Sequence, residues 1–199
     1  SINRMYGEEL LNSNERSSMV NAHHWERVVA LMDDALEQGA RLVCGGGRDE
    51  STLQIEPTIL AGCTMDMAIM NEEIFGPVLP VMTWDTHEGL DALLRHHSHP
   101  LALYIFSNRR AFVDHVMTTT RAGTTGINEV ILQVAQPGLP FGGIQTSGMG
   151  RTGGFYGFQE FSNLRSVVRQ RSPWNILPLT FPPFGQRGLW LAQAVQRWL

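Results

Sequence analysis

Lysine is absent from this sequence, and all 15 basic residues are arginine. That excludes a Schiff-base lysine and a phosphate-loop lysine. Cysteine is almost absent: Cys44 and Cys63 are too few for a disulfide scaffold or a four-cysteine zinc site, and they suit a reducing compartment. Charge is sparse too, at 17% against roughly 25% in an average soluble domain. The net charge of −4 offers no electrostatic footprint for nucleic acid, so no such partner is expected. No apolar run approaches the ~20 residues that span a bilayer, and the first residues show no signal-peptide pattern. The expectation is a cytoplasmic protein without a membrane partner.

What is present supports a packed fold. The chain has 199 residues, 43% of them hydrophobic, enough for a substantial core in one or two domains. It begins at Ser1 rather than Met, which reads as a piece of a longer chain. Between positions 20 and 38, Trp25, Val28, Val29, Met32 and Leu36 recur at helical spacing and Gly39 supplies a stop. Positions 41–44 read as a strand running into Gly45-Gly46-Gly47, and 55–60 as an extended segment around Pro57. A strand over 78–84 leads to Asp85 and Glu88, whose spacing predicts a capping box opening a helix with Leu90, Leu93 and Leu94. Positions 101–106 are nearly all apolar, the pattern of a strand covered on both faces. A helix carrying Phe112, Val113, Val116 and Met117 follows, ended by Gly123, and 124–128 predicts the next strand. This order argues for an α/β layer with a mostly parallel sheet. Glycine crowds 137–157, a short strand is predicted over 164–170, and 173–185 is a proline-rich arm.

Each conspicuous cluster has an ordinary explanation that outweighs a chemical one. Gly148-Met149-Gly150-Arg151-Thr152-Gly153 satisfies the dinucleotide fingerprint as a string. It lacks a preceding strand, and Glu160 lies too near for the ribose position, so a glycine-rich loop is the favoured reading. His96, His97 and His99 lack the i, i+4 spacing that presents two imidazoles on one helical face, and a turn is expected there. His23 and His24 point to different sides of a helix. Adjacent Glu72 and Glu73 face opposite sides of an extended segment and do not form a dyad, although one can serve alone. Cys44 and Cys63 have no flanking pattern of a nucleophile and read as small, inert side chains.

One octapeptide, Asn71-Glu72-Glu73-Ile74-Phe75-Gly76-Pro77-Val78, is unusual, and it closely resembles the Glu-Glu-Ile-Phe-Gly-Pro signature of aldehyde dehydrogenases. Three collinear segments resemble the same family: Pro100-Leu101-Ala102-Leu103-Tyr104-Ile105-Phe106-Ser107, Gly126-Ile127-Asn128, and Leu139-Pro140-Phe141-Gly142-Gly143 with Ser147-Gly148-Met149-Gly150. The resemblance runs from about Met19 to Gln170. Ser147-Gly148-Met149-Gly150, Phe161-Ser162 and the proline-rich arm are similar to the class-3-like branch, and Val134-Ala135-Gln136 is similar to coniferyl aldehyde dehydrogenases.

The resemblance implies a mechanism and places two residues in it. In the family a cysteine thiolate attacks the aldehyde, hydride passes to the nicotinamide of NAD or NADP, and a glutamate-activated water releases the acid. Glu73 matches the carboxylate that binds the nicotinamide ribose hydroxyls, and Phe75 the aromatic beside that end of the cofactor. Both are expected to be cofactor-binding residues, with no metal. The nucleophile's Gly-Gln-x-Cys segment and the glutamate base lie upstream of the matched part. Neither Cys44 nor Cys63 matches the nucleophile, so no catalytic residue is assigned and the chain alone is expected to be inactive. Arg151-Thr152-Gly153-Gly154 and Gln145 depart from the branch's usual residues.

The fold expected from the resemblance is α/β: a partial catalytic domain with a mostly parallel sheet over 1–163, an oligomerisation strand over 164–172, and a proline-rich arm with a short terminal helix over 173–199. The expected function is that of the C-terminal part of an NAD(P)-dependent enzyme oxidising an apolar or aromatic aldehyde, of the coniferyl type, as a homodimer. The alternative is a non-catalytic remnant acting only in assembly or binding.

Overall fold

The computed structural model describes residues 2–7, 11, 16–97, 99–171, 181–182 and 185–197. They fall into two compact units, Ser1–Ser98 and His99–Leu199.

The first unit contains a short helix α1 (Ile2–Tyr6) and is organised by α2 (Ala22–Glu37). The Asn21 side chain accepts a hydrogen bond from the His24 amide at 3.0 Å, capping the first turn. At the other end Gly39 takes φ of 99°, while the Gly39 and Ala40 amides donate to the carbonyls of Leu36 and Ala35. This is a Schellman stop, which leaves few orphan carbonyls. Between the caps, Val28, Leu31, Met32 and Ala35 are buried at the i, i+3, i+4, i+7 spacing. Each of the larger three stabilises the fold by roughly 1.5–3 kcal/mol through burial.

Five short strands accompany α2: β1 (Arg41–Cys44), β2 (Arg48–Asp49), β3 (Gln54–Ile55), β4 (Thr58–Ala61) and β5 (Val78–Val81). Ile55, Leu60, Met67, Ile69 and Val78 join the helix in one core. Two polar ties fix the helix on this layer: the Trp25 indole donates to the Gln54 carbonyl at 3.2 Å, and Asp34 accepts from the Ala68 amide at 3.1 Å. A final helix, α3 (His87–His96), is capped by Thr86, which accepts from the Gly89 amide at 3.1 Å. The cap therefore sits one residue beyond Asp85, where the sequence spacing had predicted it.

The second unit holds a strand, helix, strand series: β6 (Ala102–Ile105), α4 (Arg110–Thr119) and β7 (Thr124–Ile127). α4 ends at Thr119, before Gly123. The hydroxyls of Thr118, Thr119 and Thr120 donate back to carbonyls one turn earlier, at 2.6–2.9 Å, a bonding that competes with helix continuation. Short helices α5 (Leu132–Ala135) and α6 (Gly154–Glu160) follow, and α7 (Gln186–Gln196) lies near the end of the chain. No helix among the described residues is long and apolar enough to cross a membrane.

Two expectations need correction. The sheet is not a single, mostly parallel one. Among the described residues the order β1-β4-β5 is mixed, with β1 antiparallel and β5 parallel to β4, while β2-β3 is antiparallel and β6-β7 parallel. The connections explain this. A parallel return needs a crossover, which α4 supplies between β6 and β7, whereas β1 and β4 are joined only by the tight β2-β3 hairpin. Among the described residues β6 is not covered on both faces: Ile105 is buried, but Tyr104 and the following Phe106 are exposed. Residues 164–170 pair with no other segment among the described residues, and their side chains are exposed; a strand exists only through hydrogen bonds to a neighbour. Within the arm expected at 173–185, residues 173–180 and 183–184 lie outside the described residues.

Candidate functional site

The segment from Asn71 to Val78 leads out of the 3-10 turn Ala68–Met70 and into β5. Its anchor is buried structure: the Asn71 side chain donates to the Met65 and Met67 carbonyls at 2.7 and 3.0 Å. At its far end the Pro77 carbonyl accepts from the Thr58 amide at 2.8 Å. Between these anchors the chain is short and joins no strand, and it turns Glu73 and Phe75 outward. Such a span presents side chains on a rigid base.

The two glutamates are treated differently. Glu72 lies 3.4 Å from the Arg27 guanidinium of α2 and forms an ion pair with it. Glu73 is exposed, and its carboxylate has no hydrogen-bond or ion-pair partner among the described residues. Adjacent extended residues face opposite ways, so an ion pair that takes one carboxylate toward the helix leaves the other outward. Phe75 is 72% exposed. It also has φ of 46°, a left-handed backbone that a bulky side chain adopts only when its surroundings impose it. A free carboxylate and a flat apolar ring are thus presented two residues apart from a fixed loop.

The other expected candidates separate from this segment. Cys63 is buried and its thiol points at the Leu60 carbonyl at 3.5 Å, a packed and inert setting. Cys44 is half-buried at the end of β1 opposite Ile59. His96 and His97 stack edge to face at 5.0 Å, as do His23 and His24 at 5.6 Å. Among the described residues no group of three His, Cys, Asp or Glu side chains could hold a metal ion. The Asp49 carboxyl is held below its ordinary value by the Ser51 hydroxyl and amide in the β2-β3 turn.

The glycine string at 148–153 is a loop, as its sequence context suggested. A 3-10 turn, Gln145–Ser147, rather than a strand leads into Gly148, and α6 begins only at Gly154. The loop closes on itself through paired hydrogen bonds between Phe141 and Thr152 and through the Arg151 amide, which donates to Glu160 at 3.1 Å. Gly143 has to be glycine, since a Cβ there would lie 2.0 Å from the Ser147 carbonyl oxygen. A phosphate cradle at a helix N-terminus is not formed.

Two features were not foreseen as functional parts. Arg27 reaches the signature segment from 45 positions away in sequence, and nothing local to α2 distinguishes it from any other solvent-side arginine. Asn128 takes φ of 53°, and its side chain pairs with both the amide and the carbonyl of Ser107 at 2.8 and 3.0 Å. It thereby continues the pairing of β6 and β7 by side-chain means.

Comparison with known proteins agrees with this architecture. The sequence pattern of the aldehyde dehydrogenase family matches residues 3–167. The chain is 40% identical over 177 residues to a "probable coniferyl aldehyde dehydrogenase" of Caulobacter vibrioides, covering 85% of this chain and 36% of that protein. It is 34% identical over 194 residues to aldehyde dehydrogenase family 3 member H1 of Arabidopsis thaliana, covering 98% of this chain and 40% of that one. Among solved structures, the substrate-bound Staphylococcus aureus AldH superposes with a TM-score of 0.76 at 32% identity, over 97% of this chain and 41% of that chain. The Mycobacterium tuberculosis aldehyde dehydrogenase complexed with NAD+ superposes with a TM-score of 0.65 at 36% identity, over 73% and 30%. The chain spans between 36% and 40% of the length of the two curated relatives. With its sequence matched over most of its length and its fold shared with solved members, the chain belongs to the aldehyde dehydrogenase family.

Proposed function

We propose that this chain is the C-terminal portion of an NAD(P)-dependent aldehyde dehydrogenase of the class-3-like branch, which oxidises an apolar or aromatic aldehyde of the coniferyl type to its acid. The observation that carries the cofactor site is the pairing of an unpartnered Glu73 carboxylate with the exposed ring of Phe75 on one anchored loop. These residues fit the nicotinamide end of a dinucleotide. Two carboxylate oxygens can accept from two ribose hydroxyls, and a flat ring limits where an apolar heterocycle can lie. The bound dinucleotide supplies hydride acceptance. The chain's own share is to bind and orient: Glu73 holds the sugar, Phe75 restricts the ring beside it, and the loop keeps both in register.

The identity to a protein named as a coniferyl aldehyde dehydrogenase and to a family 3 member supports the branch and the substrate class. The reaction's nucleophile is assigned outside this chain, because Cys63 is buried and neither Cys63 nor Cys44 stands in a Gly-Gln-x-Cys segment. Assembly as a homodimer, with residues 164–172 adding a strand to the partner's sheet, and a cytoplasmic location complete the reading. The experiment that tests the substrate class compares kcat/KM of the complete protein for coniferyl aldehyde, benzaldehyde and acetaldehyde. A clear preference for the aromatic substrates is expected, and equal values for all three would refute it.

A further inference from the structure

We infer that Arg27 is a positioning residue for dinucleotide binding: it holds the loop so that Glu73, rather than Glu72, is free and Phe75 is presented in its left-handed conformation. This rests on the nicotinamide reading above. The guanidinium makes three interactions with consecutive residues of the loop. Nη2 donates to the Ile74 carbonyl at 2.7 Å, Nη1 donates to the Glu73 carbonyl at 3.2 Å, and Nη1 lies 3.4 Å from Glu72 Oε2. The arginine side chain is only 24% exposed, so these bonds are partly shielded from water.

The Ile74 carbonyl belongs to the peptide that precedes Phe75, so the shortest of the three bonds fixes the plane from which the φ of Phe75 is measured. Without it the peptide can rotate toward ordinary negative φ, and the ring leaves its place. The next residue of the helix completes the grip. The Val28 methyls lie 3.0 and 3.1 Å from where a Cβ at position 76 would stand, so the absence of a side chain at Gly76 lets α2 approach this closely. Phe75 is therefore bracketed by a polar clamp on one side and a steric one on the other. The Arg27-Glu72 ion pair makes the choice between the two acids by drawing Glu72 to the helix. Only a planar fork with several donors reaches two carbonyls and a carboxylate at once; an ammonium can satisfy part of the set.

The test uses the complete protein, with amide hydrogen exchange over residues 72–79 and the Kd of reduced dinucleotide from fluorescence titration. Arg27→Met should accelerate exchange in 72–79 about tenfold or more, leave β1 and β4 unchanged, and weaken the dinucleotide by about tenfold or more, as expected for loss of charge-assisted bonds. Arg27→Lys should recover part of both effects, and Glu72→Gln, which keeps the carbonyl bonds, should change affinity less than about threefold. Unchanged exchange in 72–79, or equal acceleration throughout the core, would overturn the inference. So would weakened binding in Glu73→Gln with none in Arg27→Met, which spares the site but removes Arg27 from it. Unchanged binding in both variants would overturn the nicotinamide reading itself, and the positioning role with it.

Discussion

Replacing Glu73 by glutamine removes one charge and almost no volume, which makes it a clean probe of the exposed loop. In the structure its carboxylate touches no partner among the described residues, so the folded state has nothing to lose at this position. A surface change of that kind shifts stability by no more than about 0.5 kcal/mol. If the carboxylate holds the ribose hydroxyls, the loss falls on the bound state instead. A hydrogen bond to a charged group contributes about 1.5–3 kcal/mol, and the amide retains part of it, so about 1–3 kcal/mol is expected. At roughly 1.4 kcal/mol per tenfold, that is a fall of about 5- to 150-fold in kcat/KM for the complete enzyme. The assay is stopped-flow absorbance of the reduced nicotinamide with NAD varied at saturating aldehyde, run beside a thermal melt. Unchanged kinetics with a lowered melting temperature would show that Glu73 serves the fold.

Three further outcomes are expected. The isolated 199-residue chain, incubated with NAD and coniferyl aldehyde, should show no rise in reduced-nicotinamide absorbance; turnover abolished by Cys44→Ser or Cys63→Ser would place the nucleophile in this chain after all. The complete protein should run as a homodimer at micromolar concentration, and Val168→Pro should shift it toward monomer because proline removes a ladder donor; a monomeric mass unaffected by the substitution would refute the strand. Asp49, whose carboxyl is lowered by its bonds to Ser51, contributes stability that is present above the ordinary carboxylate range and lost as pH falls through its depressed value. Acid denaturation followed by circular dichroism should therefore be flatter in Asp49→Asn, and an unchanged acid limb would contradict the assignment.

How much was legible depended on whether the determining interactions were local. Helix α2 was legible nearly to the residue, because Val28, Met32 and the Gly39 stop all act within one helix. Its start at Asn21 rather than Val20 is a matter of which side chain reaches the His24 amide. The cap of α3 moved from Asp85 to Thr86 for the same reason. Strand β6 was misread in its environment: Tyr104 and Phe106 are apolar enough for a covered strand, yet among the described residues both remain exposed, Phe106 the more so. Strand direction was illegible, since a β2-β3 hairpin and a helical crossover differ by their path through space. At the site, residue types and spacing gave Glu73 and Phe75 through their resemblance to a family signature. They gave nothing of Arg27, whose role depends on a fold that brings positions 27 and 72–74 together.

The most direct measurement is a crystal structure of the complete protein with NAD bound. The expected result is the Glu73 carboxylate within hydrogen-bond distance of the nicotinamide ribose hydroxyls, with the Phe75 ring beside the nicotinamide and its φ still positive. Glu73 turned to solvent or bonded to a protein group, with the ribose held by other residues, would contradict the account.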